Sequence, residues 1–312
     1  MSTIGTDRHG QNDIGVNIRG NEYRIERGIV RVLKLRNEWI DDIPDPEALV
    51  AEVRQLALPV DLLTFVQHPP ETIPKFSYPM QWDNLAVLKI SSYENWFKAQ
   101  IPQNARNKIR KADKSGVLVR AEAFSDKLAA GLVELFNETP VRRGKRNLYY
   151  GWDLKRVTQG WATELDRSLW LVAYFEEELI GFIKLVLGDH IARTSGTIAK
   201  EMYRDKPIMN ALLAKAVELC AAKGIPLLVY GRFVYGHKGE DSLTVFKRNN
   251  GFQRIDIPRY FVSLSLRGRI ALPLGLHRDL KDMVPGPALR LLLNMRSKWH
   301  KKMTGPSVPR PR

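Results

Sequence analysis

Two features of the sequence predict an α/β fold. Between residues 169 and 252, three apolar runs of strand length are separated by short polar breaks. Two helical stretches then alternate with further strands, and each stops at a glycine or an asparagine-glycine pair. Runs of this kind are typical of strands, and apolar residues at helical spacing are typical of helices. The predicted elements are the strands Leu169–Phe175, Leu179–Leu187, Ile191–Ala199 and Leu227–Tyr230, the helices Ile208–Lys223 and Ser242–Asn249, and a strand leading on from Phe252.

The front of the chain predicts a smaller β-α-β-β unit that echoes the larger one weakly. Its helix should start at Pro46 with Asp45 as N-cap, because a short acidic side chain can accept the first free backbone N–H groups. The predicted strands are Ile29–Leu35, Val60–Val66 and Leu85–Ile90. Met1–Asn21 is polar and glycine-rich without an apolar core, so we expect a disordered leader there.

Charged segments connect and follow these units. Arg106–Lys114 predicts a basic helix that Gly116 stops, and Pro140–Tyr150 predicts a basic loop with aromatic residues. The other predicted elements are the strand Val117–Ala123, the helices Lys127–Thr139 and Lys155–Leu165, a strand Gln253–Leu266 broken at Pro258, an irregular stretch Arg267–Pro287, and an amphipathic helix Ala288–Met303. The predicted domains are a leader (1–21), a front unit with basic linker (22–115), a catalytic domain (116–266) and a basic extension (267–312).

Composition limits the function. The formal net charge of +15 and pI near 9.9 predict an acidic partner: nucleic acid, anionic lipid or a phosphorylated substrate. The single cysteine, Cys220, excludes a disulfide framework, and no apolar run reaches the length of a membrane span. We therefore expect a cytoplasmic protein, with peripheral contact at the inner face of the membrane through Ala288–Met303 as an alternative. No metal-ligand spacing is present, so no metal is predicted.

The order of elements and two local motifs resemble a known superfamily. A strand, a helix, three meandering strands, and then helix, strand, helix and strand is the order of the GNAT acyltransferase fold. The segment RNKIRKADKSGV, which begins at Arg106, is similar to a basic segment of Fem-like peptidyltransferases and their acetyltransferase relatives. The segment FKRNNGF, which begins at Phe246, resembles the end of the same proteins. The resemblance implies a GNAT-like acyl-CoA N-acyltransferase fold with a truncated first unit and a complete second one.

The resemblance also implies a donor site. Two central parallel strands, Ile191–Ala199 and Leu227–Tyr230, should splay apart, and the next helix should point its N-terminus at the gap. The implied donor-binding residues are Thr197, Ile198, Ala199, Lys206 and Asn210. The turn Lys200–Ile208 departs from the family because it lacks the glycines that let a backbone approach a diphosphate, and Asp205 is expected to cap the helix instead. Acyl-CoA and aminoacyl-tRNA therefore both remain as donors.

The implied chemistry is acyl transfer to an amine or hydroxyl of a phosphorylated or envelope-type acceptor, without metal. Lys247 stands beside the position of the usual tyrosine, which is Phe246 here, and would stabilise the developing oxyanion. His237 and Glu201 are candidate bases. The substrate-binding candidates share positive charge or an aromatic ring: Arg106, Arg110, Lys111, Arg142, Arg143, Tyr149, Tyr230 and Arg232. The alternative is a catalytically degenerate GNAT-fold protein that binds RNA or anionic lipid.

Overall fold

One mixed sheet of twelve strands forms the centre of the fold. The computed structural model describes residues 3–6, 12–142, 144–235 and 241–277. The strands are β1 (Thr3–Thr6), β2 (Asn12–Ile18), β3 (Asn21–Glu26), β4 (Val32–Leu35), β5 (Leu62–Val66), β6 (Met80–Lys89), β7 (Leu118–Glu122), β8 (Val141–Arg142), β9 (Lys145–Arg146), β10 (Ser168–Phe175), β11 (Glu178–Leu187), β12 (Ile191–Ala199), β13 (Leu227–Arg232) and β14 (Gln253–Ser263). Strands β8 and β9 form a separate small hairpin.

The helices lie on the faces of this sheet. They are α1 (Pro46–Gln55), α2 (Tyr93–Asn95), α3 (Gln103–Lys114), α4 (Asp126–Phe136), α5 (Leu154–Trp161), α6 (Ile208–Ala222), α7 (Ser242–Asn249) and α8 (Leu266–Ala271), with a π-helical turn, Trp96–Gln100, between α2 and α3. As predicted, the Asp45 carboxylate caps α1 by accepting the Ala48 N–H. Helices α3 and α6 pack in one apolar cluster, and α4 and α5 pack in another.

The same pattern of strands occurs twice along the sheet. In the first unit, β2, β3 and β4 form an antiparallel meander, and β5 then pairs parallel to β4. In the second unit, β10, β11 and β12 form a meander, and β13 pairs parallel to β12. The units exchange their last strands, because β14 lies beside β5 while β6 lies beside β13. The weak echo in the sequence therefore corresponds to two units that share one sheet.

The predicted disordered leader is wrong over the residues that the structure describes there. Strand β2 continues the first meander, and Ile18 is buried in the core beside Tyr23 and Ile25. Ile14, Val16 and Ile18 alternate with polar residues or glycine, which is the two-residue period of a strand with one buried face. This two-residue period is short and is surrounded by glycines and polar residues, so it does not stand out in the sequence of residues 1–21.

Pro258 does not break the last strand, contrary to prediction. Its carbonyl accepts the Gln67 N–H, so its ring nitrogen also faces β5. The β5 ladder ends there, at the pair Arg259 and Val66, so no ladder hydrogen bond is lost. Strand β14 ends at Ser263, three residues before the predicted end, and α8 then forms where we predicted irregular structure. The predicted helix Ala288–Met303 lies outside the described residues. Over the described part of the chain, no helix is long and apolar enough to cross a membrane.

Candidate functional site

Strands β12 and β13 diverge as the resemblance implied. Their parallel pairing covers three positions and ends at Arg193 and Val229. Strand β12 continues to Ala199 without a partner on that side, and its residues from Arg193 to Ala199 are only partly buried. Across the gap, the Tyr230 hydroxyl lies 3.2 Å from Thr197 Oγ1. Past Arg193, the β12 side of the gap thus lies outside the strand pairing with β13, and two hydroxyl groups bridge the gap.

Helix α7 covers the end of β13 with a polar inner face. The Asp241 carboxylate caps this helix by accepting the Thr244 N–H at 2.9 Å. Thr244 and Lys247, one turn apart, are its buried residues. Thr244 donates its hydroxyl to the Phe233 carbonyl, and Lys247 donates to the Arg232 carbonyl. The sequence therefore folds a buried lysine onto the strand end where pairing with β12 has ceased.

Lys247 is fully buried, and its environment disfavours its charge. Its side chain is 0% exposed, and burial lowers its pKa from 10.5 to about 8 although the charge of Asp241 opposes this shift. Its Nζ lies 4.8 Å from the centre of the Tyr235 ring and 5.5 Å from that of Tyr230. Among the described residues, the Arg232 carbonyl is the one acceptor found within hydrogen-bond distance. An ammonium group can donate three hydrogen bonds, of which the described residues accept one.

Glycine at position 231 permits this arrangement. Its φ of +64° lies in the left-handed region, and a Cβ there would meet the Tyr235 hydroxyl at 2.6 Å. The register of β13 against β6 shifts at the same place, between Val229 and Arg232. This shift turns the Arg232 carbonyl out of the ladder, where Lys247 binds it. The Arg232 side chain is paired with Asp83 at 3.1 Å.

The start of α6 does not fit a diphosphate. Pro207 has no N–H, the Ile208 N–H donates to the Lys206 carbonyl, and the Asn210 N–H donates to the Pro207 carbonyl. Lys206 points away from the gap, with its Nζ 4.0 Å from the centre of the Phe175 ring. The predicted cap by Asp205 is wrong, because no side chain caps α6 and its N-cap is Pro207. A coenzyme A diphosphate therefore finds few free donors at this helix.

In the turn between β12 and α6, a carboxylate of the protein accepts the backbone N–H groups that a phosphate would otherwise need. Glu138 accepts the N–H groups of Glu201 and Met202, each at 2.9 Å, and pairs with Arg142 at 3.0 Å. Arg142 also donates to the Ala199 carbonyl. The predicted substrate residue Arg142 is thus held inside the protein. Sequence reasoning missed Glu138, although its opposite charge four residues before Arg142 was a readable signal.

Several predicted site residues have structural contacts instead. Arg106 donates from one guanidinium nitrogen to the carbonyls of Phe97, Lys98 and Ile101, so it closes the π-helical turn. Tyr149 stacks on Phe136 at 4.8 Å within an aromatic cluster. The remaining donor candidates are placed as follows: Asn210 is buried and donates to Asn250 Oδ1 at 3.0 Å, and Ile198 pairs with Phe182 of β11.

The other predicted basic residues and bases are divided between the surface and undescribed positions. Arg110 and Lys111 are exposed on α3, together with Lys108 and Lys114. Glu201 pairs with Arg204 at 2.9 Å in the turn after β12. His237 and Arg143 lie outside the described residues. The structure thus brings Lys247, Tyr230, Arg232 and Thr197 to one place.

A polar cleft elsewhere on the surface is a weaker candidate. It lies between the β2–β3 turn and the chain after α5. Its charges are largely paired, with Arg167 donating two hydrogen bonds to Asp41 and Arg36 pairing with Glu22 at 3.0 Å. In the described residues, no group of three or more His, Cys, Asp or Glu side chains is arranged to hold a metal ion.

Solved structures share this fold. No protein-family model matches the sequence, and no curated protein matches it. The chain is similar to FemX, with a TM-score of 0.58 and 10% identity over 84% of this chain and 89% of that one. It is also similar to the C-terminal DUF2156 domain of a putative lysylphosphatidylglycerol synthetase from Agrobacterium fabrum (TM-score 0.55, 15% identity, 84% and 87% covered). L-PGS from Bacillus licheniformis gives a TM-score of 0.55 at 15% identity, covering 85% and 87%. These likenesses confirm the GNAT-like, Fem-type fold.

Proposed function

We propose that the protein is an acyltransferase that moves an acyl group to an amine or hydroxyl at the gap between β12 and β13. The observation that carries the proposal is Lys247, a fully buried cation with a lowered pKa at the end of β13. Fully buried lysines are rare in proteins, and strongly shifted pKa values concentrate at functional sites. The chain shares its fold with a putative lysylphosphatidylglycerol synthetase, a name that fits the transfer of an aminoacyl group.

The reaction needs a nucleophile, an acyl carbonyl and a leaving group. The acceptor nitrogen or oxygen attacks the carbonyl carbon, and the carbonyl π electrons move onto oxygen. Lys247 donates a hydrogen bond to that oxyanion, which is stabilised strongly in a site that excludes water. When the carbonyl reforms, the bond to the leaving group breaks, and the proton lost by the acceptor balances the charge of the leaving group. Glu201 and His237 stay candidate bases for that proton.

Of the two predicted donors, acyl-CoA and aminoacyl-tRNA, we propose aminoacyl-tRNA. The start of α6 offers few free N–H groups to a diphosphate. In contrast, α3 exposes four cations on a surface that the described acidic residues leave largely unpaired: Lys108, Arg110, Lys111 and Lys114. Such a row of cations suits the repeated phosphates of a nucleic acid. The acceptor class stays as predicted, a phosphorylated or envelope-type amine or hydroxyl.

Donor consumption with a small nucleophile tests the proposal without knowledge of the natural acceptor. Radiolabelled aminoacyl groups are followed from tRNA to hydroxylamine, and thiol release from acetyl-CoA is followed in parallel. We expect transfer from aminoacyl-tRNA, and Lys247→Met should lower the rate by about a hundredfold to a thousandfold, the usual effect of losing an oxyanion donor. Lys215→Met, in the middle of α6 where the ammonium pairs with Glu218 at 3.0 Å, is the control and should keep full activity.

Two results would overturn the proposal. One is a rate with the wild-type protein that does not exceed hydrolysis in buffer for either donor. The other is a Lys247→Met rate equal to that of the wild type. If tRNA still binds in a filter assay while no transfer occurs, the protein is a GNAT-fold binding protein rather than an enzyme.

A further inference from the structure

An exposed apolar patch lies on the first unit. It is formed around α8, which packs on β14 beside β5, whereas the gap lies between β12 and β13. Leu266 and Ile270 stand one turn apart on α8 and are 65% and 57% exposed. Leu274, in the turn that closes this helix, is 62% exposed, and Ile29 in the β3–β4 loop is 47% exposed. The Arg267 side chain donates to the Ile29 carbonyl, which joins the loop to the helix. We call these four residues the α8 patch.

The α8 patch is held facing outward by contacts on the opposite side of the helix. Ser265 caps α8 by accepting the Gly268 N–H at 3.0 Å and donates its hydroxyl to Asp61 at 2.8 Å. Gly268 lies against the Asp61 backbone so closely that a Cβ would be 2.1 Å from the carbonyl oxygen. Ala271, also on the inner side, is buried. Rotation of the helix that would bury Leu266 and Ile270 would therefore break this contact.

The rim of the patch is strongly basic. Arg27, Arg31, Arg267 and Arg269 are exposed around it. Neither segment that forms the patch, residues 27–31 and 265–277, contains an acidic residue. Among the described residues, no carboxylate forms an ion pair with Arg27 or Arg269. The sequence that follows is also basic, with seven Lys or Arg and no acidic residue from position 285 to the end.

We propose that the α8 patch docks on an anionic lipid bilayer. Leucine and isoleucine side chains of a surface helix enter the boundary between headgroups and acyl chains, and arginines around them bind the lipid phosphates. Both components are present here on one rigid surface. The charge of the rim selects an anionic over a zwitterionic surface, because the arginines contribute only where the lipid headgroups are net negative.

Other occupants fit this surface less well. A second copy of the chain would bring four more arginines against the first four, and like charges in contact repel. A nucleic acid would use the arginines but gain little from exposed aliphatic side chains, since bases stack on aromatic rings. An acidic protein remains distinguishable by experiment, because it would not confer binding to protein-free vesicles.

Vesicle co-sedimentation with the full chain tests this proposal. The probes are vesicles of equal parts phosphatidylglycerol and phosphatidylcholine, and vesicles of phosphatidylcholine alone. We expect binding to the anionic vesicles, with a partition coefficient at least roughly tenfold lower for Leu266→Glu/Ile270→Glu. Arg27→Gln/Arg269→Gln should lower it by about tenfold. The matched controls are Ile73→Glu, at an apolar residue that is 80% exposed elsewhere, and Arg54→Gln/Lys155→Gln.

Each outcome decides the proposal. Loss of binding in both patch variants with intact binding in both controls supports it. Equal binding of wild type and Leu266→Glu/Ile270→Glu overturns it, as does equal binding to the two vesicle types. If only Lys298→Gln/Lys301→Gln/Lys302→Gln reduces binding, membrane contact belongs to the C-terminal segment and the α8 patch is excluded. A change in sedimentation coefficient instead of vesicle binding would assign the patch to self-association. Circular dichroism checks that every variant is folded.

Discussion

The two units of the sheet diverge at the same point, but they fill the resulting gaps differently. Strands β4 and β5 pair at three positions and separate after Lys34 and Thr64, just as β12 and β13 separate after Arg193 and Val229. In the first gap, Arg259 forms two hydrogen bonds with Glu38, at 2.7 and 2.9 Å, and pairs with Asp83. In the second gap, Lys247 has one backbone acceptor among the described residues.

The difference separates a structural ion cluster from a candidate site. The charges of the first gap are mutually neutralised and their hydrogen bonds are made, so nothing remains for a ligand. The second gap buries a single cation whose charge the protein itself disfavours. Among the described residues one carbonyl accepts from the Lys247 ammonium, and a buried charge with so few partners is costly for folding. The comparison predicts opposite responses when each cation is removed.

The largest expected effect is on unfolding. Arg259→Met removes both hydrogen bonds that Glu38 accepts from a cation and leaves Asp83 with Arg232 alone, and it should lower the free energy of unfolding by about 3–5 kcal/mol. Lys247→Met removes a disfavoured charge and should be neutral or stabilising, by up to about 3 kcal/mol. Urea denaturation of the two variants measures both values. A large loss in Lys247→Met would mean that Lys247, like Arg259, is structural.

The sequence could predict the second gap but not the contents of the first. Apolar runs and helix stops located β12, β13 and α7 nearly to the residue, because hydrophobic period and glycine breaks are local signals. Arg259 meets Glu38 across 221 positions of sequence, and no local period indicates such a pair. The strand exchange that brings β14 beside β5 is equally long-range.

Within the candidate site, the contrast between local signals and long-range contacts also separates the residues that the sequence places correctly from those that it does not. Lys247 and Tyr230 stand at the ends of predicted elements, so their position followed from the fold. The predictions for Arg106 and Arg142 rest on a basic segment and on a basic loop with aromatic residues, and both side chains bind carbonyls of the protein. A positive side chain in a sequence does not show whether its partner is a ligand or the end of a neighbouring helix. That choice depends on packing between α3, α4 and the turn after β12.

The second prediction concerns the pH dependence of stability. Burial raises the pKa of Glu38, but the charges of Arg259 and Lys34 and the hydrogen bonds from Arg259 outweigh this and lower it to about 2. The unfolded state then binds more protons between pH 4.5 and about 2, so about 3 kcal/mol of stability is lost as the pH falls through this range. Glu38→Gln should abolish this loss in urea titrations at successive pH values.

The second gap should also gain stability as the pH rises, but at alkaline pH and because the charged form of Lys247 is the one that burial disfavours. Burial lowers the pKa of Lys247, so between pH about 8 and 10.5 the unfolded state again binds more protons. Stability should therefore rise with pH over this window relative to Lys247→Met, by up to about 3 kcal/mol. A parallel pH dependence of wild type and Lys247→Met would contradict the buried, disfavoured charge.

The third prediction concerns catalysis. Because the charged ammonium form of Lys247 stabilises an oxyanion far better than the neutral amine, the rate of acyl transfer should fall about tenfold per pH unit above about 8. Lys247→Arg retains a cation at all these pH values, so its rate, though lower, should lose this alkaline limb. The measurement is the pH profile of kcat/KM with hydroxylamine as acceptor, corrected for spontaneous donor hydrolysis. An unchanged limb in Lys247→Arg would assign the titration to another group.

The smallest expected effect concerns the hydroxyl bridge across the second gap. Tyr230→Phe removes the 3.2 Å contact with Thr197, and a single hydrogen bond of this kind contributes about 1 kcal/mol. A double-mutant cycle with Thr197→Val should therefore give a coupling energy of about 0.5–1.5 kcal/mol in urea unfolding. Thr64→Val is the matched control in the first gap, where Thr64 donates to the Tyr260 carbonyl at 2.9 Å, and its effect should add to that of Tyr230→Phe.

A ligand that enters the second gap must separate Tyr230 from Thr197, so donor binding should weaken the Tyr230–Thr197 coupling and leave the cost of Thr64→Val unchanged. Coupling that donor does not alter would place the acyl group outside this gap.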